Sequence, residues 1–309
     1  MDEILFVSAV LAAGIRLATP IMLAALGETL GQRSGVINVG IEGIMLVGAF
    51  VAVLGAVETG SPWAGLALAM LAGAAMGAIH AYFSVVLKAE QIVAGIALLF
   101  LGIGLSGYGY RLTLGASGTA AAIPGFRPLD VLGLAGVPGI GPILFGQQAL
   151  VYLTFAAAIA MAWMFSSTRL GVIVKAVGEY PAAAASAGIG VDRVRFACVS
   201  VGGALAGAGG AFLSIAHLWG FVEGMTAGRG FLAIACVVLA RWSPLAAIAV
   251  ALLFGIADAL QIRVQSMMPG VPYQFFVIAP YLVAIAAVGI GSRTAMPAAL
   301  GKPFRPGGR

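Results

Sequence analysis

RLGVIVKAVGEYPAAAASAGIGVDRVR, residues 169–195, is a charged island in a chain that otherwise avoids charge. It holds Arg169, Lys175, Glu179, Asp192, Arg193 and Arg195, six of the 16 basic and 11 acidic residues present. Long apolar runs flank it on both sides. A polar segment with helix signals of its own, set between membrane-type runs, reads as a docking surface for a soluble partner or as an inert loop. In either case it divides a membrane protein.

Composition supports that class. The 309 residues are 61% hydrophobic and 9% charged, with mean hydropathy +1.09, whereas soluble domains carry about 25% charge. The expected fold is an all-α polytopic membrane protein, a single transmembrane domain over residues 1–309. The 45 glycines are about twice the usual share. Pairs such as Gly73/Gly77 and Gly203/Gly207 allow close helix contact. The N-terminus reads as a first membrane helix and not as a cleavable signal. Cys198 and Cys236 lie in apolar runs without metal-type spacing and read as core.

A membrane helix needs about 20 apolar residues. That criterion places nine spans, with eight to ten compatible, near 4–27, 37–57, 63–87, 91–110, 147–166, 194–218, 228–241, 244–262 and 272–290. The seventh is short, so 228–262 also reads as a broken pair or a re-entrant hairpin. Lys and Arg gather on the cytoplasmic side. Placing the island there, as a coupling segment over 167–193, puts Arg33, Lys88, Arg241 and a basic tail (291–309: Arg293, Lys302, Arg305, Arg309) on the same side. Arg111, Arg127, Arg229 and Arg263 then fall outside, and Arg16 lies within the first span. The expected topology is N-terminus outside and C-terminus cytoplasmic, in a bacterial inner membrane, with 111–146 as the largest external segment. The net charge of +5 reports this topology, and nothing points to nucleic acid.

Within the island, Pro181 suits a first helical turn, 182–187 is rich in alanine, and Gly188 suits a C-terminal cap. Glu179 stands where negative charge favours a helix N-terminus. The expected element is a helix of about seven residues, roughly 10 Å long.

From Arg169 to Ile189 the sequence resembles the coupling segment of ABC importer permeases of the branched-chain amino acid, ribose and nucleoside family. Their pattern runs roughly R-x-G-x-x-x-R-A-x-G-E-N-P-x-A-A-x-x-x-G-I. Arg169, Gly171, Ala176, Gly178, Glu179, Pro181, Ala184, Gly188 and Ile189 match it, while Lys175 replaces an arginine and Tyr180 an asparagine. ETLGQRSGVINVGIEGIMLVGA, residues 28–49, resembles a signature of the nucleoside and simple-sugar branch, with Gln32 in place of a glutamate. GRGFLAIACVVLARWSPLAAIAVALLFGIADALQIRVQ, residues 228–265, resembles that branch's late segment. Over these motifs the chain resembles the smaller permease subunits of bacterial purine nucleoside importers.

The resemblance implies a non-catalytic half of an ATP-driven importer, coupled to its ATPase through 178–189. A P-loop needs G-x-x-x-x-G-K followed by Ser or Thr, and Lys88, Lys175 and Lys302 precede Ala89, Ala176 and Pro303. ATP and Mg are therefore expected on a separate ATPase subunit, and no cofactor on this chain. A second, larger permease, giving a heterodimeric pore, and an extracytoplasmic substrate-binding protein are the other partners implied. Family signatures leave nucleosides, simple sugars and related small solutes open.

Polar groups in the spans are candidates for lining the path, because burying them is costly. Asn38 and Glu42, at i and i+4 in the second expected span, share a helix face as path-lining or backbone-orienting groups. Gln91, Asp258 and Gln261 lie near span ends, and Glu28 joins them as solvated or structural. Phe100 and Phe254 lie within spans, and either could stack on a base or pack. Trp63, Trp219 and Tyr110 suit the interfacial belt, and His80 and His217 read as packed or interfacial. Arg16 calls for an acidic partner. Two readings belong to other classes. A secondary transporter would use Glu42 and Asp258 as proton carriers. An intramembrane serine protease would use Ser117, in Gly115-Ala116-Ser117-Gly118, with His217. The turn-rich chain after Ser117 argues against the latter.

Overall fold

Helices without a water-driven force between them pack best where their backbones can touch, and glycine supplies that contact here. The computed structural model describes residues 2–113, 123–267, 278 and 296–305. Along the chain run α1 (Asp2–Arg33), α2 (Ile41–Thr59), α3 (Pro62–Ala81, prolonged by a π-helical turn to Val86) and α4 (Gln91–Thr113). After the segment between α4 and α5 come α5 (Ala149–Ser167), α6 (Arg169–Glu179), α7 (Pro181–Ser186) and α8 (Val191–Ala211, prolonged to His217). The series closes with α9 (Arg229–Leu239) and α10 (Pro244–Met267).

The two glycine pairs singled out in the sequence face one another across the α3–α8 contact. A methyl group at Gly203 would meet the Gly73 carbonyl and lie 3.0 Å from the Gly77 Cα, and one at Gly207 would lie 3.1 Å from the Gly73 Cα. α1 and α2 complete the centre against α8, with Ile21, Met22, Ile44, Met45 and Phe212 all buried there. α10 closes on α1 where Gly14 meets Ile256.

Among the described residues seven helices are long and apolar enough to cross a membrane: α1 to α5, α8 and α10, α3 and α8 with their prolongations. Segment 272–290, apart from residue 278, lies outside the described residues. The expected seventh span is corrected. Segment 228–241 holds α9, a helix of 11 residues that measures roughly 16 Å, about half of a hydrocarbon core. Of the alternatives for 228–262, the broken pair describes it better, because α10 is itself long and apolar enough to cross. Loop 218–228 leaves the far end of α8, where the Glu223 carboxylate meets Arg111 of α4 at 2.8 Å, and reaches the middle of the bundle. From there α9 returns to the end that carries α7. Arg229, expected in an external loop, thus stands inside the bundle at the first turn of α9.

Of the basic residues expected on the island's side, Arg33, Arg195, Arg241 and Lys302 meet at one end of the bundle. The Arg33 Nε donates to the Trp242 carbonyl at 2.9 Å, and Arg195 donates to the Lys302 carbonyl at 2.9 Å. Gly178 is packed on the Arg33 carbonyl. At the opposite end the Phe126 N–H donates to the Ile215 carbonyl, and the Trp63 ring meets Phe126 edge-on. Tyr110 and Trp219 lie at that end too.

Candidate functional site

The site is built where the three sequence motifs meet, and its centre is a helix that starts inside the bundle. Four N–H groups at the beginning of any helix lack intrahelical partners. Away from water they need an acceptor. Glu42 of α2 provides it. One carboxylate oxygen accepts from the Thr226 hydroxyl at 2.6 Å and the Gly228 N–H at 2.7 Å, and the other accepts from the Gly230 N–H at 2.6 Å. The anion also meets the positive end of the α9 dipole. Gly230 allows the approach, since a side chain there would lie 2.7 Å from the Glu42 Cα.

The far end of α9 is tied to the same neighbourhood. The Gln32 Oε1 accepts from the Trp242 indole at 2.6 Å, while its Nε2 donates to Glu28 at 3.0 Å. An amide can accept and donate at once.

These contacts correct the proposed path-lining set. Asn38 lies ahead of α2, which begins at Ile41, so it shares no helix face with Glu42. Its side chain accepts from the Gly40 N–H at 3.0 Å and its own N–H donates to Glu28 at 3.0 Å. Gln91 is buried and accepts from the Ile37 N–H at 2.9 Å. Glu42 is 6% exposed and committed to α9. Phe254 is 1% exposed in the core, whereas Phe100 is 66% exposed on the outer face of α4. The two rings line no common space.

Asp258 and Gln261 remain, half-buried on α10. The charge of Arg229 reaches both Asp258 and His217, and that of Arg16 reaches His217. Sequence reasoning had assigned these residues to four separate surroundings. No carboxylate pairs with Arg16 among the described residues. His80 is packed, with Nε2 3.0 Å from the Ile37 carbonyl. Ser117 lies outside the described residues.

The α7 end is the second part of the site. Pro181 opens α7 as expected, and Gly188 closes it with φ +80°. The Ile189 N–H donates to the Ala184 carbonyl at 3.0 Å and the Gly188 N–H to the Ala185 carbonyl at 3.0 Å, the pairing of a Schellman cap. The helix has 6 residues. Glu179 does not serve its N-terminus, because that carboxylate accepts from the Ala298 N–H at 3.2 Å. Lys175 is also turned inward, donating to the Phe165 carbonyl at the end of α5 at 2.7 Å.

Gly178 and Ala184 are buried and Ile189 is half-buried, so several motif residues hold α7 in place rather than facing outward. The exposed surface comprises Tyr180, at 71% exposure, with Ala182, Ala183, Ser186 and Ala187. Two elements were missed in the sequence. α6 carried a legible signal: Thr168 accepts from the Gly171 N–H as an N-cap, and Gly171, Val174 and Gly178 fall on its buried side at helical spacing. Segment 296–305, which packs beside α7, carried none.

With the motifs brought together, the comparisons with known proteins carry the decision. The family model described as branched-chain amino acid transport system / permease component matches residues 10–288. The chain belongs to this permease family. A guanosine ABC transporter permease protein of Bacillus subtilis is 34% identical over 100% of both chains. A putative glucose ABC transporter permease protein of Haloferax volcanii is 38% identical over 85% of this chain and 79% of its own. A nucleoside ABC transporter permease protein of Lactococcus lactis is 32% identical over 88% of this chain and 89% of its own. No solved structure matches. The permease is a transport component of an ABC system.

Proposed function

We propose that this permease forms half of the translocation pathway of an ATP-driven nucleoside importer in the bacterial cytoplasmic membrane, with the α7 end on the cytoplasmic side. The observation that carries the coupling part is α7 itself. It is a capped single-turn helix whose outward face is made of alanines and one serine, held by Gly178 on the end of α1. A surface so short and smooth suits insertion into a cleft of a separate ATPase. A second, larger permease and an extracytoplasmic binding protein complete the system, and ATP and Mg belong to the ATPase.

Asp258, Gln261, Arg16, His217 and Arg229 line the path in this reading. Arg16, Arg229, Asp258 and Gln261 are half-buried and His217 is exposed, and polar or ionisable groups at membrane depth belong on a bundle interior or a watery passage and not against lipid. The nucleoside assignment draws on the guanosine and nucleoside permeases among the relatives. Simple sugars are the second reading, favoured by the relative named for glucose. Thermal-shift screening of the cognate binding protein separates them, since stabilisation by sugars alone would sink the nucleoside assignment. Coupling is tested by Ala183→Trp, which should abolish ATP-dependent uptake while the permease stays folded.

A further inference from the structure

Segment 296–305 is stitched to the α7 end at several separate points. The Ala299 N–H donates to the Gly178 carbonyl at 2.9 Å, and the Gly301 N–H to the Gly35 carbonyl at 3.1 Å. The buried Arg195 of α8 donates through Nε to the Ser34 carbonyl at 3.0 Å and through Nη1 to the Lys302 carbonyl at 2.9 Å. Phe304 packs on the small apolar cluster of Val177, Ala184 and Val191 beneath α7. The strap is thereby fixed to α6, to the turn after α1 and to the first turn of α8.

Between this strap and α7 lies an open groove of about 1000 Å³. Tyr180, Ala183 and Ser186 form one wall, and Ala298, Pro303 and Arg305 the other. Its walls are mainly apolar, with cations on one rim. Lys302 and Arg305 are exposed there. The carboxylate that lines the groove, Glu179, is turned to the Ala298 amide.

We propose that the strap is the second wall of the ATPase-docking surface. The groove receives a segment of the ATPase subunit that sets small apolar side chains against α7 and carboxylates against Lys302 and Arg305. This rests on the reading of α7 as the docking helix. It adds that α7 does not dock alone, and that the cationic rim selects an acidic counterpart by charge complementarity.

The test co-expresses the tagged full-length chain with its second permease and ATPase, and measures the ATPase retained after detergent extraction. Lys302→Glu with Arg305→Glu should lower retention about tenfold or more at about 0.1 M salt, where surface charges still act over roughly 10 Å. The melting point of the permease should fall by no more than about 2 °C, because Arg305 is exposed and the one bond Lys302 loses, to the Ala298 carbonyl at 3.0 Å, is also exposed. Ala183→Trp, on the opposite wall, should lower retention equally. Wild-type retention after the double reversal, with loss in Ala183→Trp, overturns the strap proposal and leaves the docking helix standing. Wild-type retention in both overturns the docking helix and the strap together. A second arm avoids dependence on affinity. Lys302→Cys carrying a benzophenone maleimide, whose photo-activated ketone inserts into nearby C–H bonds, should capture the ATPase as Ser186→Cys carrying it does, and capture from Ser186→Cys alone overturns the proposal.

Discussion

Removing the Glu42 carboxylate is the sharpest perturbation of the half-helix. Glu42→Ala deprives the Gly228 and Gly230 N–H groups and the Thr226 hydroxyl of their acceptor. A buried donor left unmatched costs about 1–3 kcal/mol. The hydroxyl can rotate toward another acceptor, so the two amides set the loss, at about 2–6 kcal/mol. Glu42→Gln keeps the oxygen that serves Thr226 and Gly228 but turns an amide N–H₂ toward the Gly230 N–H. Its expected loss is about 1–3 kcal/mol. For a chain of this size each kcal/mol corresponds to about 2 °C of melting point. Glu42→Ala should therefore melt about 4–12 °C low, and Glu42→Gln about 2–6 °C low. Thermal unfolding of the detergent-purified chain gives the order. Hydrogen exchange at residues 228–230 gives the location, and should accelerate in Glu42→Ala. A Glu42→Ala protein with wild-type melting and wild-type exchange at those amides would refute the capping argument.

Gly203→Leu should force α3 and α8 apart, destabilising the chain by at least about 1–3 kcal/mol, read as loss of monodisperse protein on size exclusion. Normal yield and melting would contradict the interlocking of the glycine pairs. Gly188→Val places a β-branched residue at φ +80°, at roughly 1–2 kcal/mol or more, and should uncouple ATP hydrolysis from uptake with the spans intact. The hydrogen bond from Arg111 holds the Glu223 carboxyl below its ordinary range. A depressed folded value stabilises above the unfolded pKa and is lost as pH falls through the folded one. The link between α4 and loop 218–228 should thus persist at neutral pH and release only below about pH 4, seen as faster exchange in 218–228. Release already at neutral pH would show the pair is not formed.

The class, the spans other than 228–241 and 272–290, and α7 were readable because each rests on local information. Apolar length signals a span, Pro181 and Gly188 bracket a turn of helix, and glycine pairs announce close packing. The role of Glu42 was not readable in that way. Its partners are 184 to 188 residues away, and nothing near Glu42 marks it as a cap for α9. Spacing alone suggested a shared face with Asn38, which failed because α2 starts three residues after Asn38. Gln32 looked like a plain departure from the family pattern until Trp242 and Glu28 were found on its two ends. The strap stayed invisible because most of its hydrogen bonds run through backbone groups, and its sequence shows neither helical nor strand periodicity. Arg229 was placed by counting alternate loops, a method that breaks where a half-helix and its loop share one crossing.

The central claim is that the chain moves a nucleoside only as part of an ATP-driven assembly docked at α7. Proteoliposomes holding the chain, its second permease and its ATPase, supplied with the binding protein and labelled guanosine outside, measure this directly. Uptake should require ATP in the compartment facing α7, survive an uncoupler, and vanish in Ala183→Trp. Uptake that persists without ATP and collapses with the uncoupler would contradict the account.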